Sequence, residues 1–309
     1  MIPENAAYEE FCERFGTDEV CSEALYQARW PNGFRCPACS HSRCYLISTR
    51  RLPLYECVSC KRQTSVTAGT VMEGSSTPLP LWFRAFYLLS RPSGISSSRL
   101  SELLGVTYKT AWLISHKIRH ALQQADQEEA LTGAVRVETF NYGSFLYLDA
   151  QQPLVIGAAL NEEEQPILVK IKQPDPAHVH SRRRQIEKAG IDAFVSDHTD
   201  GRNVRTPARF DKSLPSLTGF KRGACAWLNF TFNGIGAKHL QAYLDEFCFR
   251  INAMLRDIPV LNRLIRLCAA TNTLIYKVLI REKPVLPVPW RIWGSRAKWK
   301  GKHLSAWTA

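Results

Sequence analysis

Apolar and polar positions alternate along this chain in two regimes that meet near residue 130. The first is helical. Phe11, Phe15, Val20, Leu25 and Tyr26 recur at helical spacing through the first thirty residues. Arg29-Trp30-Pro31-Asn32-Gly33-Phe34 then turns the chain, since Pro and Gly punctuate regular structure. Two short segments rich in aromatic and branched residues, 44–47 and 54–57, predict a small hairpin. Pro78-Leu79-Pro80 opens a helix through residues 81–89, because proline is tolerated in a first turn. Ser96 to Ser98 supply caps for a second helix ending at Leu104. Gly105 provides the turn, and Thr107 caps a third helix through Trp112, Ile114, Ile118 and Leu122.

After the polar stretch 123–129 the pattern becomes strand-like. Residues 135–140, 145–148, 154–160 and 167–171 predict successive strands, the third nearly all apolar and therefore central. Residues 174–190, rich in His, Arg and Lys, are expected to cover or cross that sheet, and 191–196 reads as a further strand. Lys238 to Leu255 is a long helix with Leu240, Tyr243, Leu244, Phe247 and Ile251 on one face. These patterns divide the chain into residues 1–77, 78–128, 130–257 and 258–309.

Composition narrows the class. With 45% hydrophobic and 22% charged residues, the 309-residue chain is globular, and it has no apolar run long enough for a membrane span. Forty Lys and Arg against 28 Asp and Glu give a net charge of +12, which favours a polyanionic partner. Nucleic acid leads, with a solvated basic surface as the alternative.

Cys36, Cys39, Cys57 and Cys60 form a C-x2-C-x17-C-x2-C array. Each C-x2-C pair turns two thiolates toward one point, and two such knuckles complete a closed tetrahedral shell for structural zinc. A closed shell leaves no position for a catalytic water. Cys44 and His41 lie inside the loop without a knuckle partner and read as loop residues. No signal peptide precedes the array, so a disulfide framework is disfavoured and a cytoplasmic, nucleoid-associated protein is expected.

The two helices around Gly105 have helix-turn-helix spacing, which helical bundles also show. Thr107, Tyr108, Lys109 and Thr110 stand where a recognition helix touches base edges, while His116, Lys117, Arg119 and His120 are candidates for phosphate contacts. Residues 281–309 hold seven Lys or Arg, one acid and four of the eight Trp, namely Trp290, Trp293, Trp299 and Trp307. Such interleaving suits either contact with DNA or an arm packed through its Trp residues.

Residues 11–15, 29–36, 63–71, 81–85, 104–106, 111–112, 227–228, 233–234 and 238–247 together resemble the IS1595 (ISXO2-like) insertion-sequence transposases. The resemblance covers residues 8–255. It implies an α+β multidomain protein: a zinc ribbon, a helix-turn-helix and an RNase H-like α/β nuclease domain that cuts and joins transposon ends with two divalent ions, here followed by the basic Trp-rich extension. Double-stranded DNA is the expected partner, and in the leading reading a homodimer recognises a short inverted-repeat site.

The resemblance breaks at the implied nuclease site. Family members carry Asp-Glu-Thr on the first strand. This chain reads Val137-Glu138-Thr139, so the Asp is either replaced by Glu138 or deleted. The second family Asp aligns with Asp200, or in an alternative register with Asp197. Leu214-Pro215 and Trp227-Leu228 anchor the third element, leaving Gly223 where the family has a metal-binding Asn and Cys225 where it has Lys. Glycine offers no side-chain ligand and hard cations prefer oxygen, so functional Mg2+ is not expected. A rearranged triad of Asp149, Asp197 or Asp200, and Glu246 is the alternative that keeps an active transposase. A third reading makes the domain a scaffold for another nuclease or nucleoprotein complex. The leading expectation is a nuclease-inactive, sequence-specific DNA-binding protein acting as a regulator, targeting factor or architectural factor.

Overall fold

The computed structural model describes residues 2–143, 150–180, 183–207 and 213–286. In chain order the elements are α1 (Ile2–Arg14), α2 (Asp18–Arg29), β1 (Cys44–Ile47), β2 (Leu54–Cys57), β3 (Gln63–Ser65), α3 (Leu79–Ser90), α4 (Ser97–Leu104) and α5 (Tyr108–Glu128). There follow β4 (Ala134–Tyr142), β5 (Gln152–Leu160), β6 (Pro166–Lys172), α6 (Lys188–His198), β7 (Asn203–Arg205), α7 (Pro215–Phe232), α8 (Ala237–Leu255), α9 (Val260–Ala270) and α10 (Tyr276–Leu279). No helix among the described residues is long and apolar enough to cross a membrane.

The chain forms two compact units rather than four consecutive segments. Of the described residues, one unit contains those up to Ala125 and Ile258–Ile280, the other Asp126–Asp257 and 281–286. Residues 258–280 thus belong with the N-terminal unit, not with the extension that follows them. The reason is packing. In α9, Leu264, Ile265, Cys268 and Ala269 are buried at helical spacing, and the helix lies against α2 and α3. Loop bonds add to this: the amide of Val71 donates to the carbonyl of Cys268 at 3.1 Å.

The N-terminal unit is organised around α3. Its residues Leu79, Trp82, Phe83, Ala85, Phe86, Leu88 and Leu89 are all buried, and α1, α2, α4 and α9 surround it. The three-stranded sheet β1-β2-β3 is antiparallel throughout, so the expected hairpin gains a third strand. Tyr26, Trp30, Phe34 and Tyr55 join it to α2, with ring centroids 5.0 to 6.1 Å apart. Edge and offset contacts of this kind hold large apolar area in defined geometry.

The second unit is a mixed sheet in the order β6-β5-β4-β7, with β4 antiparallel to β5 and parallel to β7. Alternation along β5 sends Leu154, Ile156 and Ala158 toward α7 and α8, and Val155 and Ala159 toward α6. Both faces are covered, so β5 is apolar along nearly its whole length.

The segment 191–196 is helical, not a strand. Ile191, Phe194 and Val195 stand at i, i+3 and i+4, and in α6 this places them together against the sheet. Gly157 on β5 permits the approach, since a Cβ there would meet the Phe194 ring at 2.7 Å and Leu131 at 2.8 Å. The parallel strand is instead the three-residue β7. The expected strand 145–148 lies outside the described residues.

Candidate functional site

The four cysteines of the ribbon converge. Their sulfurs all lie within 4.8 Å of one another, with Cys36 Sγ 3.5 Å from Cys60 Sγ and Cys39 Sγ 3.5 Å from Cys57 Sγ. A tetrahedral shell with zinc–sulfur bonds of about 2.3 Å requires edges of about 3.8 Å, which this cluster fits. The two knuckles are built alike. Ser40 N–H donates to the carbonyl of Cys36 at 2.9 Å and Lys61 N–H to that of Cys57 at 3.0 Å. Both donors sit in the left-handed region, each with φ 59. The amides of Cys36 and Cys57 in turn donate to the carbonyls of His41 and Arg62. Cys44 and His41 stand outside the cluster, as their lack of a knuckle partner implies. The residues fit structural zinc, bound by Cys36, Cys39, Cys57 and Cys60.

The helix pair α4–α5 has the expected caps. Ser96 Oγ accepts from the amide of Arg99, Gly105 adopts φ 64, and Thr107 Oγ1 accepts from the amide of Thr110 at 3.2 Å. Thr107, Tyr108 and Lys109 are exposed at the start of α5, and Thr110 is half-buried. The ammonium of Lys109 lies 4.8 Å from the centre of the Tyr276 ring.

The phosphate-contact positions further along α5 differ from expectation. Lys117 is 7% exposed and Arg119 0%, and His116 is also buried. Lys117 Nζ instead reaches the carbonyl of Glu73 at 3.4 Å. Neither Lys117 nor Arg119 presents its charge to solvent, so neither is placed to meet a phosphate. Long cationic side chains bury their stems readily, and their charge alone does not say which way they point.

Glu138 lies on the face of β4 that looks toward α7. Its Oε2 is 2.5 Å from Lys221 Nζ and accepts from Ser213 Oγ, while Oε1 accepts from the amide of Leu214 at 2.8 Å and from Arg136 Nε at 3.3 Å. Burial opposes the charge, but Lys221, Ser213 and the Leu214 amide outweigh it and hold the carboxyl below its ordinary value. Every oxygen of this carboxylate is engaged by the protein itself. Lys221 and Ser213 were not singled out from the sequence. Pro215 at the first position of α7 gives the available signal, because the amide of the preceding Leu214 is then an unsatisfied helix-end donor.

The other candidate positions do not gather around Glu138. Thr199 bridges Leu131 and Asp200 N–H donates to the Leu131 carbonyl, at the end of the β4–β7 pair where both strands begin. Glu138 stands four residues beyond Ala134, about 13 Å along the strand. Asp200 and Asp197 are exposed, and Asp200 Oδ1 accepts from the amide of Arg202. Gly223 and Cys225 lie on α7, where Cys225 is half-buried against the sheet core and burial pushes its thiol up. Glu246 is buried on α8 with Arg250 Nη2 at 2.6 Å. Asp149 and the Trp-rich residues 287–309 lie outside the described residues. Among the described residues, the four cysteines are the one group of three or more His, Cys, Asp or Glu close enough to share an ion.

A second charged cluster was not foreseen. Lys172 Nζ lies 2.6 Å from Asp245 and 2.5 Å from Asp126, and Lys170 also contacts Asp126. Burial pushes His198 down to about 4, assisted by the charges of Lys172 and Lys170.

Comparison with known proteins matches residues 16–63 to the transposase zinc-ribbon domain. A relative from Halobacterium salinarum, an uncharacterized protein in transposable element ISH50, is 31% identical over 128 residues, 41% of this chain. The match spans 42% of that relative, less than half its length. No solved structure matches the chain. Ribbon geometry and the domain match across it identify residues 16–63 as a transposase zinc-ribbon domain, and part of the chain is similar to an insertion-element protein.

Proposed function

We propose that this is a transposase-derived, sequence-specific DNA-binding protein whose nuclease chemistry has been lost. The observation that carries the loss is the environment of Glu138. A two-metal site needs carboxylate oxygens turned toward cations about 4 Å apart. Here both oxygens of Glu138 are held by Lys221, Ser213, Arg136 and the Leu214 amide. Protein cations occupy the electrostatic role that divalent ions would fill. Gly223 supplies no ligand, Cys225 supplies a soft sulfur half-buried in the core, and Asp200 stands at the other end of the strand pair.

The strand order β6-β5-β4-β7, antiparallel except for the β4–β7 pair, supports reading the second unit as RNase H-like. The capped α4–α5 pair supports a helix-turn-helix whose exposed Thr107, Tyr108 and Lys109 meet bases. In this reading the zinc is structural, the partner is duplex DNA, and a homodimer recognises an inverted repeat.

The test is supercoiled DNA incubated with the full chain and Mg2+ or Mn2+. Unchanged DNA is expected, together with binding that Asp200→Ala leaves intact. Metal-dependent nicking that disappears in Asp200→Ala or Asp149→Ala overturns the loss of chemistry. Failure to bind DNA at all overturns the functional reading.

A further inference from the structure

The zinc ribbon carries a surface that its metal does not explain. Strand β1 is the edge of its sheet, and Tyr45 and Leu46 on that edge are 58% and 62% exposed. Consecutive residues point to opposite faces of a strand, so both faces of this edge meet solvent. Soluble proteins usually blunt an edge of this kind, because it pairs readily with another chain. Here it is flanked by charge of one sign. Between residues 30 and 66 stand Arg35, Arg43, Arg50, Arg51, Lys61 and Arg62, against the single acid Glu56. All six cations are exposed, and one of them, Arg51, pairs with Asp18 of α2 at 3.4 Å.

One of these cations stands over Tyr45, and others are its neighbours along the hairpin. Arg43 immediately precedes β1, and its carbonyl accepts from the amide of Val58 at 3.1 Å, beside the second knuckle. Lys61, which closes that knuckle, places its ammonium 5.6 Å from the centre of the Tyr45 ring. Arg50 lies in the turn between β1 and β2. Glu56, opposite Tyr45 on β2, accepts from Gln63 Nε2 at 2.9 Å. The hairpin therefore presents an exposed aromatic and an exposed aliphatic side chain with cations at its base and at its tip, on a scaffold anchored by the cysteine knuckles and by the Trp30–Tyr55 contacts.

We propose that the β1–β2 hairpin of the zinc ribbon enters a groove of duplex DNA, with Arg43, Arg50 and Lys61 on phosphates, Tyr45 against the bases and Leu46 against the groove wall. This rests on the DNA-binding reading above and assigns a second contact surface to it, separate from α5. A two-stranded ribbon fits the major groove, which is about 12 Å wide. Charge decides the occupant. A protein strand adding to β1 would gain the same edge hydrogen bonds but would draw nothing from the exposed cations beside it, whereas a phosphate backbone would. The burial of Lys117 and Arg119 strengthens the case, since it removes two phosphate contacts from α5 and leaves the ribbon as a richly cationic exposed surface.

The experiment measures binding of the full chain to a short mixed-sequence DNA duplex across a salt series, with zinc content and melting temperature recorded for every variant. Arg43→Gln/Lys61→Asn removes two cations, and Asn tolerates the left-handed backbone of position 61. The logarithmic salt slope is expected to fall by about two, roughly one per lost phosphate contact. Tyr45→Ser is expected to weaken binding about tenfold with the slope unchanged. Variants that keep zinc, melting temperature, affinity and slope overturn this inference while parent binding leaves the functional reading standing. A parent that fails to bind the duplex overturns both. If Leu46→Asp abolishes self-association without DNA and leaves duplex affinity unchanged, the edge belongs to a second copy of the chain and the inference is wrong.

Discussion

Lys221 Nζ lies 2.5 Å from Glu138 Oε2, an α7 ammonium set against the first-strand carboxylate from which a two-metal site would be built. The pair is largely shielded, so each partner depends on the other. Lys221→Ala leaves Glu138 with Arg136, Ser213 and the Leu214 amide and is expected to cost about 2 to 3 kcal/mol, below the full penalty for an unpaired buried charge. Chemical denaturation at neutral pH measures it.

Acidification should expose the same pair. The carboxyl of Glu138 is held below its ordinary value in the folded protein. Its contribution is therefore fully present above the unfolded value of about 4.3 and is lost as pH falls through the lower folded value. Glu138→Gln is expected to lower stability at pH 7 and to lose less than the parent between pH 5 and pH 3. Parallel pH profiles for the two proteins would remove Glu138 as a source of acid sensitivity.

Zinc should be inseparable from folding of the ribbon. Metal analysis is expected to find about one zinc per chain, and Cys57→Ser to lose both the metal and the ribbon fold, because apo ribbons lack a core of their own. Zinc-free protein with an unchanged melting temperature would contradict this.

The approach of α6 to the sheet depends on Gly157. An added Cβ would stand 2.7 Å from the Phe194 ring and 2.8 Å from Leu131, so both side chains would have to shift. Gly157→Ala is expected to destabilise the second unit by about 1 to 3 kcal/mol, the usual cost of overpacking. A second substitution, Phe194→Leu, should recover part of that loss.

What the sequence disclosed follows from how local each signal is. The ribbon was legible because thiol spacing alone brings the ligands together, and α4–α5 because Ser96, Gly105 and Thr107 act within one turn of their own helices. Segment 191–196 misled because Ile, Phe and Val suit strands, while the i, i+3, i+4 spacing that makes α6 is only three residues deep. The strand that pairs parallel to β4 is three residues long and carries no periodicity to detect. Lys117 and Arg119 illustrate the remaining limit. Their positions on α5 follow from sequence, but their burial is decided by segments far away in the chain, such as the Glu73 carbonyl. The same holds for Glu138, whose partners Ser213 and Lys221 are about eighty residues distant.

Lys172 is buried between two carboxylates in the second unit. Its ammonium bridges Asp245 at 2.6 Å and Asp126 at 2.5 Å, and burial, which alone would lower its proton affinity, is overcome by the two carboxylates. Asp245 is almost wholly enclosed. Beyond Lys172 its Oδ1 accepts from Gln241 Nε2 at 2.7 Å, while Oδ2 finds no hydrogen-bond partner among the described residues. Lys172→Met should therefore strand a buried carboxylate, at about 3 to 5 kcal/mol at pH 7. Burial pushes Asp245 up, so in that variant the carboxyl takes up a proton as pH falls and the deficit should shrink toward pH 5. Lys172→Met/Asp245→Leu removes both charges and is expected to be more stable than the single variant, because Asp126 retains Lys170. Urea titrations of the three proteins at pH 7 and pH 5 separate the outcomes. A double variant no more stable than Lys172→Met would mean that the lysine acts through packing rather than through the charge it neutralises.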